Sequence, residues 1–239
     1  MIARFQSLPL FLQFVAVTAV SMLVPAIYGL ALEHHTVARN FLYACILMLI
    51  AVVLIGIAMA HRPRPPSDLD HLLALFGAFT VIPAIIAVPF SESLHNISYF
   101  NAYFEMVSSL TTTGATLFDA PERLSPALHL WRAQVGWLGG LLMWVAAAAI
   151  LSPLNLGGFE VTARLDQGGM DTSPAQMGMA TAQKRWQRAA AQMSPVYAAL
   201  TLILGVLLVM SGDVSILALT HAMSTLAKSG ISAIGGVSN

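Results

Sequence analysis

With 239 residues, 57% hydrophobic and 9% charged, the chain carries about a third of the charge usual for a soluble domain, so lipid is the solvent for much of its surface. Basic and acidic residues balance at eleven each, and this zero net charge argues against a general nucleic-acid binder. The single cysteine, Cys45, excludes an intrachain disulfide framework and any multi-cysteine metal site.

Five stretches have the roughly 20 mostly apolar residues that a bilayer-crossing helix needs. The first covers residues 8–32, with Pro25 as its expected kink. It has a thin basic start at Arg4 and no small-residue cleavage pattern before Glu33, so it reads as a retained helix and not a secretory signal. The others cover 40–60, 71–90 with Pro83 near the middle, 130–151 and 192–211. Proline is tolerated in such helices where neighbours satisfy the freed carbonyl.

The connecting segments divide by charge. The N-terminus around Arg4, the helix-breaking His61-Arg62-Pro63-Arg64-Pro65-Pro66 and the long glycine-containing stretch 153–191 fall on one side if five helices alternate. Seven basic residues lie there, against four (Arg39, Arg123, Arg132 and Lys228) on the other. The positive-inside rule then puts the N-terminus in the cytoplasm.

The outer segment 91–128 is no ordinary connector. Residues 96–110 read as a short apolar helix, too brief to cross but able to dip into the membrane where protein or a wet cavity covers its end. Glu105 lies within it and needs a partner; Arg132, near the outer end of the fourth helix, is the candidate for a structural ion pair. Past this helix comes Ser108-Ser109-Leu110-Thr111-Thr112-Thr113-Gly114-Ala115-Thr116. Carbonyl and threonine oxygens can replace the water shell of a cation, and a helix C-terminus attracts positive charge, so this segment is expected to be an ion-conducting pore loop.

The layout recurs. After the fifth helix, the apolar segment 214–227 runs into Ser224-Thr225-Leu226-Ala227-Lys228-Ser229-Gly230-Ile231-Ser232, which aligns Gly230 with Gly114 and Ser229 with Thr113. Each unit reads as helix, re-entrant helix, small-hydroxyl-glycine turn, and the second stops at Asn239 before a closing helix. The expected class is an all-α membrane protein with about five transmembrane helices, two re-entrant pore helices and incomplete helix–pore loop–helix repeats. Its divisions are two N-terminal helices outside the repeats (1–66), a first repeat (67–152), a cytoplasmic loop (153–191) and a truncated second repeat (192–239).

Beside the first loop stands Phe104-Glu105-Met106-Val107, and the helix after it opens Leu130-Trp131-Arg132-Ala133-Gln134-Val135-Gly136-Trp137-Leu138-Gly139-Gly140. Together with His221-Ala222-Met223-Ser224-Thr225 and Ser229-Gly230-Ile231-Ser232, these residues resemble the Trk/Ktr/HKT superfamily of potassium transporters, in its TrkH-type membrane subunit. The resemblance covers nearly the whole chain. It implies four consecutive repeats around one pore, often preceded by two extra helices, so the chain reads as the N-terminal half of such a subunit, without the third repeat that carries the gating segment. It implies filter positions at Thr112, Thr113, Gly114, Ser229 and Gly230, with Lys228 in the filter by position only, where the family has a small or hydroxyl residue. It further implies potassium as the transported ligand with no other cofactor, a homodimer of full-length chains, a cytoplasmic nucleotide-binding regulatory subunit, and the bacterial inner membrane as location.

Two other readings compete with potassium transport. One is a non-conducting fragment or relic, favoured by Lys228. The other is an intramembrane serine enzyme, opposed by the absence of G-x-S-x-G and of a histidine base at helix spacing from Ser229. The seven histidines show no metal-ligand spacing; His221 reads as a packing residue, and Asp213 as a favourable charge at a helix start. Gly136, Gly139 and Gly140 read as helix-packing positions.

Overall fold

The computed structural model describes residues 8–60, 68–94, 96–118, 120–151 and 174–232. The described residues are helical, with no strand. Arg4, His95, the basic segment 61–66 and most of the glycine-containing loop lie outside them. Four spans are long and apolar enough to cross a membrane: Leu10–Ala31, His35–Met59, Leu69–Glu92 and Lys184–Met210.

The first span is two helices, α1 (Leu10–Ser21) and α2 (Leu23–Ala31). The break falls at Met22, upstream of Pro25. A proline strains the turn before it because its ring meets the carbonyl four residues back and it offers no N–H. That carbonyl belongs to Ser21, and the Gln134 side-chain amide donates to it at 2.8 Å from another helix. The reversal after α2 is a left-handed turn at Glu33 (φ 61), with the His34 N–H bonded to the Gly29 carbonyl at 2.8 Å. Helix α3 (His35–Ala60) follows and packs on α1 and α2.

Helix α4 (Asp68–Glu92) carries Pro83 and Pro89. Against it runs the short α5 (Tyr99–Leu110), whose Ser98 cap accepts the Asn101 N–H. Tyr99 and Tyr103, one turn apart, donate their hydroxyls to the carbonyls of Ala84 and Thr80, also one turn apart on α4. Twelve residues span only about 18 Å, well short of a hydrocarbon core of about 30 Å, so α5 is too short to cross.

Helix α6 (Pro126–Ala146) starts four residues earlier than expected and runs into a π-helical turn, Ala147–Leu151. It falls outside the four spans although most of its residues are buried. His129, Arg132 and Gln134 lower its hydropathy, and all three are buried inside protein rather than set in lipid. It packs on α2, α5 and the last two helices, α7 (Pro174–Met210) and α8 (Ser215–Ala227). Helix α7 begins within the stretch expected to be loop. The 174–183 part is helical, and Trp186 on the next turn meets Phe14 of α1 edge-on at 5.0 Å. Farther along, Trp137 of α6 donates to Thr201 of α7 at 2.8 Å.

Candidate functional site

The two short helices end in the same way. At the end of α5, the Thr112 N–H bonds the Ser109 carbonyl (3.0 Å) and the Thr113 N–H bonds Ser108 (2.9 Å). At the end of α8, the Lys228 N–H bonds Thr225 (3.2 Å) and the Ser229 N–H bonds Ser224 (3.0 Å). These are the paired bonds of a Schellman cap, and each needs one left-handed residue. Thr112 (φ 57) and Lys228 (φ 56) supply it, and the register that aligns them also aligns Gly114 (φ 74) with Gly230 (φ 64). The internal repeat is therefore a repeat of backbone conformation at both left-handed positions of the loop.

The caps leave the next carbonyls free. Among the described residues, no donor reaches the carbonyl oxygens of Thr112, Thr113 and Gly114, or those of Lys228, Ser229 and Gly230. The first loop is held from behind: Ser108 Oγ donates to the Ala115 carbonyl at 2.6 Å, and the Thr111 and Thr113 hydroxyls lie 2.8 Å apart. Helix α5 directs its negative dipole end at this loop, as α8 does at the other.

The loops touch. A methyl group on Gly114 would stand 1.9 Å from the Ser229 carbonyl oxygen, so only glycine lets the two backbones meet there. Both loops rest on α6. A methyl on Gly139 would stand 1.9 Å from the Leu110 carbonyl oxygen, one on Gly140 would stand 3.1 Å from Ala227 Cα, and one on Gly136 would stand 3.2 Å from Ser229 Oγ. The small residues of α6 admit the C-terminal ends of both short helices to its backbone.

Behind the first loop, Arg132 Nη2 lies 2.8 Å from Glu105 Oε2, the side chains being 5% and 0% exposed. Glu105 Oε1 accepts the Thr116 hydroxyl at 2.9 Å and the Leu117 N–H at 2.5 Å. The carboxylate thus ties the return of the loop to both α5 and α6. Phe118 covers the pair, with the guanidinium carbon of Arg132 5.8 Å from its ring centroid and that of Arg123 5.7 Å away.

Of the residues singled out from sequence, Thr112, Thr113, Gly114, Ser229 and Gly230 come together on the two abutting loops, and Glu105 and Arg132 stand behind the first. Lys228 sits on the second loop, exposed and with a left-handed backbone. His221, a packing residue by sequence, is engaged in polar contacts instead. Its Nε2 lies 3.2 Å from Ser232 Oγ, and its Nδ1 lies 3.7 Å from Asp213 Oδ2. The alignment that pairs the glycines holds the signal for this contact, since it sets His221 on Glu105 and Ser232 on Thr116.

Comparison with known proteins agrees with this architecture. No family model matches the chain. The Trk system potassium uptake protein TrkH of Vibrio parahaemolyticus is 28% identical over 219 residues, which is 91% of this chain and 43% of that protein. TrkI of Halomonas elongata is 28% identical over 90% of this chain and 42% of its own length. The crystal structure of the potassium transporter TrkH from Vibrio parahaemolyticus superposes with a TM-score of 0.75 at 26% identity, over 98% of this chain and 45% of that one. The chain is of the TrkH type. It spans less than half the length of these TrkH-type relatives, and they are named as transporters rather than enzymes. An all-helical, multi-pass membrane protein is what both the TrkH fold and the apolar spans require.

Proposed function

We propose that the chain supplies two adjoining parts of a potassium-selective pathway, in which carbonyls and hydroxyls near Thr112, Thr113, Gly114, Ser229 and Gly230 replace part of the ion's water. The observation that carries this reading is the contact of Gly114 with the Ser229 carbonyl between two loops of one backbone design. That contact is head-to-tail: the glycine of one loop meets the residue before the glycine of the next. Head-to-tail contacts generate rings where the rotation closes, and a methyl on Gly230, at the position matching Gly114, would meet nothing within 4 Å among the described residues. Uncharged oxygens hold a cation firmly enough to strip its water and weakly enough to release it. The naming of the relatives as potassium uptake proteins supports potassium as the ion.

On this reading the four-repeat pore, the homodimer and the nucleotide-binding cytoplasmic subunit belong to the full-length assembly. The excess of basic residues on the N-terminal side supports a cytoplasmic N-terminus in a bacterial inner membrane. A second reading, a non-conducting relative of such a transporter, draws on Lys228, which sets an ammonium beside the second loop.

The test is growth of a potassium-uptake-deficient bacterium at low potassium. Hosts would express the chain alone, or joined at Asn239 to the C-terminal part of a TrkH-type relative. Rescue by the joined protein, abolished by Gly114→Val, is the expected result. Rescue by the chain alone would overturn the need for further repeats. Failure of the joined protein, restored by Lys228→Thr, would favour the non-conducting reading.

A further inference from the structure

We infer that His221 is the positioning residue of the second loop, the counterpart of Glu105 in the first, and that it acts by holding the chain just past Gly230 through Ser232. This role rests on the transport reading above.

The geometry repeats with different chemistry. In the first unit, a side chain on the penultimate turns of the short helix reaches the hydroxyl two residues beyond the loop glycine: Glu105 Oε1 and Thr116 Oγ1, 2.9 Å apart. In the second unit, the aligned side chain reaches the aligned hydroxyl: His221 Nε2 and Ser232 Oγ, 3.2 Å apart. Each bond closes the loop back on its own helix. Bonds within the cap fix the N-terminal side of the loop, and this side-chain bond fixes the C-terminal side.

Each bracing side chain faces a charged group from a second direction. Arg132 of α6 holds Glu105 at 2.8 Å. Asp213, just before α8, lies 3.7 Å from His221 Nδ1, near enough for charge attraction to a protonated ring but beyond hydrogen-bond distance, a looser counterpart of the first pair. Either tautomer of the ring can make the bond to Ser232: Nε2 accepts the hydroxyl when unprotonated and donates to its oxygen when it carries the proton. The loop between helix and hydroxyl contains Ser229, whose carbonyl meets Gly114, so slack at Ser232 is passed to the junction of the two loops.

The test uses the intact protein that carries this chain, reconstituted in lipid vesicles, with rubidium uptake and its competition by sodium as readouts. His221→Leu removes the bond. His221→Gln keeps a polar group able to reach the hydroxyl, and Ser232→Ala removes the other partner. Losing one ordinary hydrogen bond changes an equilibrium by about fivefold to tenfold. His221→Leu and Ser232→Ala are each expected to lower the preference for rubidium over sodium by about that factor. The double variant should be no worse than either single one, and His221→Gln should recover most of the loss. Ser232→Ala, a small change at an exposed position, carries the test if His221→Leu does not assemble. Additive single effects, or no rescue by glutamine, would overturn the inference. A parent protein without cation uptake would instead overturn the transport reading on which it rests.

Discussion

Gly114 and Ser229 join the two halves of the site through backbone alone. No side chain intervenes, and any Cβ at position 114 would stand only 1.9 Å from the Ser229 oxygen.

Gly114→Ala is therefore expected to be far more damaging than Gly230→Ala. Both glycines have positive φ, which costs an alanine about 1–2 kcal/mol. At Gly114 the methyl also collides with backbone that cannot rotate away, whereas at Gly230 it meets nothing within 4 Å. Thermal unfolding of the two variants of this chain in detergent measures the difference. Equal destabilisation would show that the loops do not meet in this way.

The Glu105–Arg132 pair is buried, so breaking it from one side is costly. Arg132→Met strands a carboxylate and is expected to cost about 3–5 kcal/mol, and Glu105→Gln alone strands the guanidinium. The double variant should be less damaging than the sum of the two. A double-mutant cycle on unfolding measures the coupling, and a coupling near zero would mean that the two charges do not depend on one another.

Lys228 combines two features that glycine and threonine separate. Lys228→Gly keeps the left-handed cap and removes its strain, so the chain should become more stable by about 1 kcal/mol. Lys228→Thr keeps the strain and removes the charge. In a transport-competent assembly both should raise potassium uptake severalfold. A rise with glycine alone would assign the effect to backbone rather than charge.

Gln134 answers a gap made by Pro25. Gln134→Leu leaves the Ser21 carbonyl without its donor and is expected to cost about 1–3 kcal/mol. Adding Pro25→Ala supplies a backbone N–H for the same carbonyl, so the double variant should regain part of that stability. Unfolding curves of the single and double variants check this, and a double variant worse than Gln134→Leu alone would contradict it.

Several of these relationships are open to reading in the sequence, and others are not. The two loops are visible because a run of hydroxyl residues ending in glycine is out of place between apolar segments and occurs twice. Glu105 marks itself, because a carboxylate on a short apolar helix requires a cation. The break at Met22 is displaced from the proline because the strain acts on the preceding turn. Helix α7 extends back to Pro174 because Ala182, Gln183, Lys184 and their neighbours are good helix formers despite their polarity, and polarity alone suggests loop. The low hydropathy of α6 cannot reveal that its polar residues face protein, since periodicity gives a face but not what covers it. The His221–Ser232 bond is hidden by chemistry. Histidine and glutamate do not look alike, and only their shared register shows that they occupy the same place.

On the transport reading, the contacts on α6 have a consequence for ion discrimination. Leu110, Ala227 and Ser229 all press on positions of one helix that have no side chain. The distance of each loop from the axis of α6 is then set by the width of a hydrogen-bonded helical backbone, which has no rotamers to change and few soft torsions. A side-chain spacer would let that width breathe with temperature or with the thickness of the surrounding lipid. On that reading, the tolerance on the gap an ion would meet is inherited from peptide geometry, the least adjustable dimension a protein has.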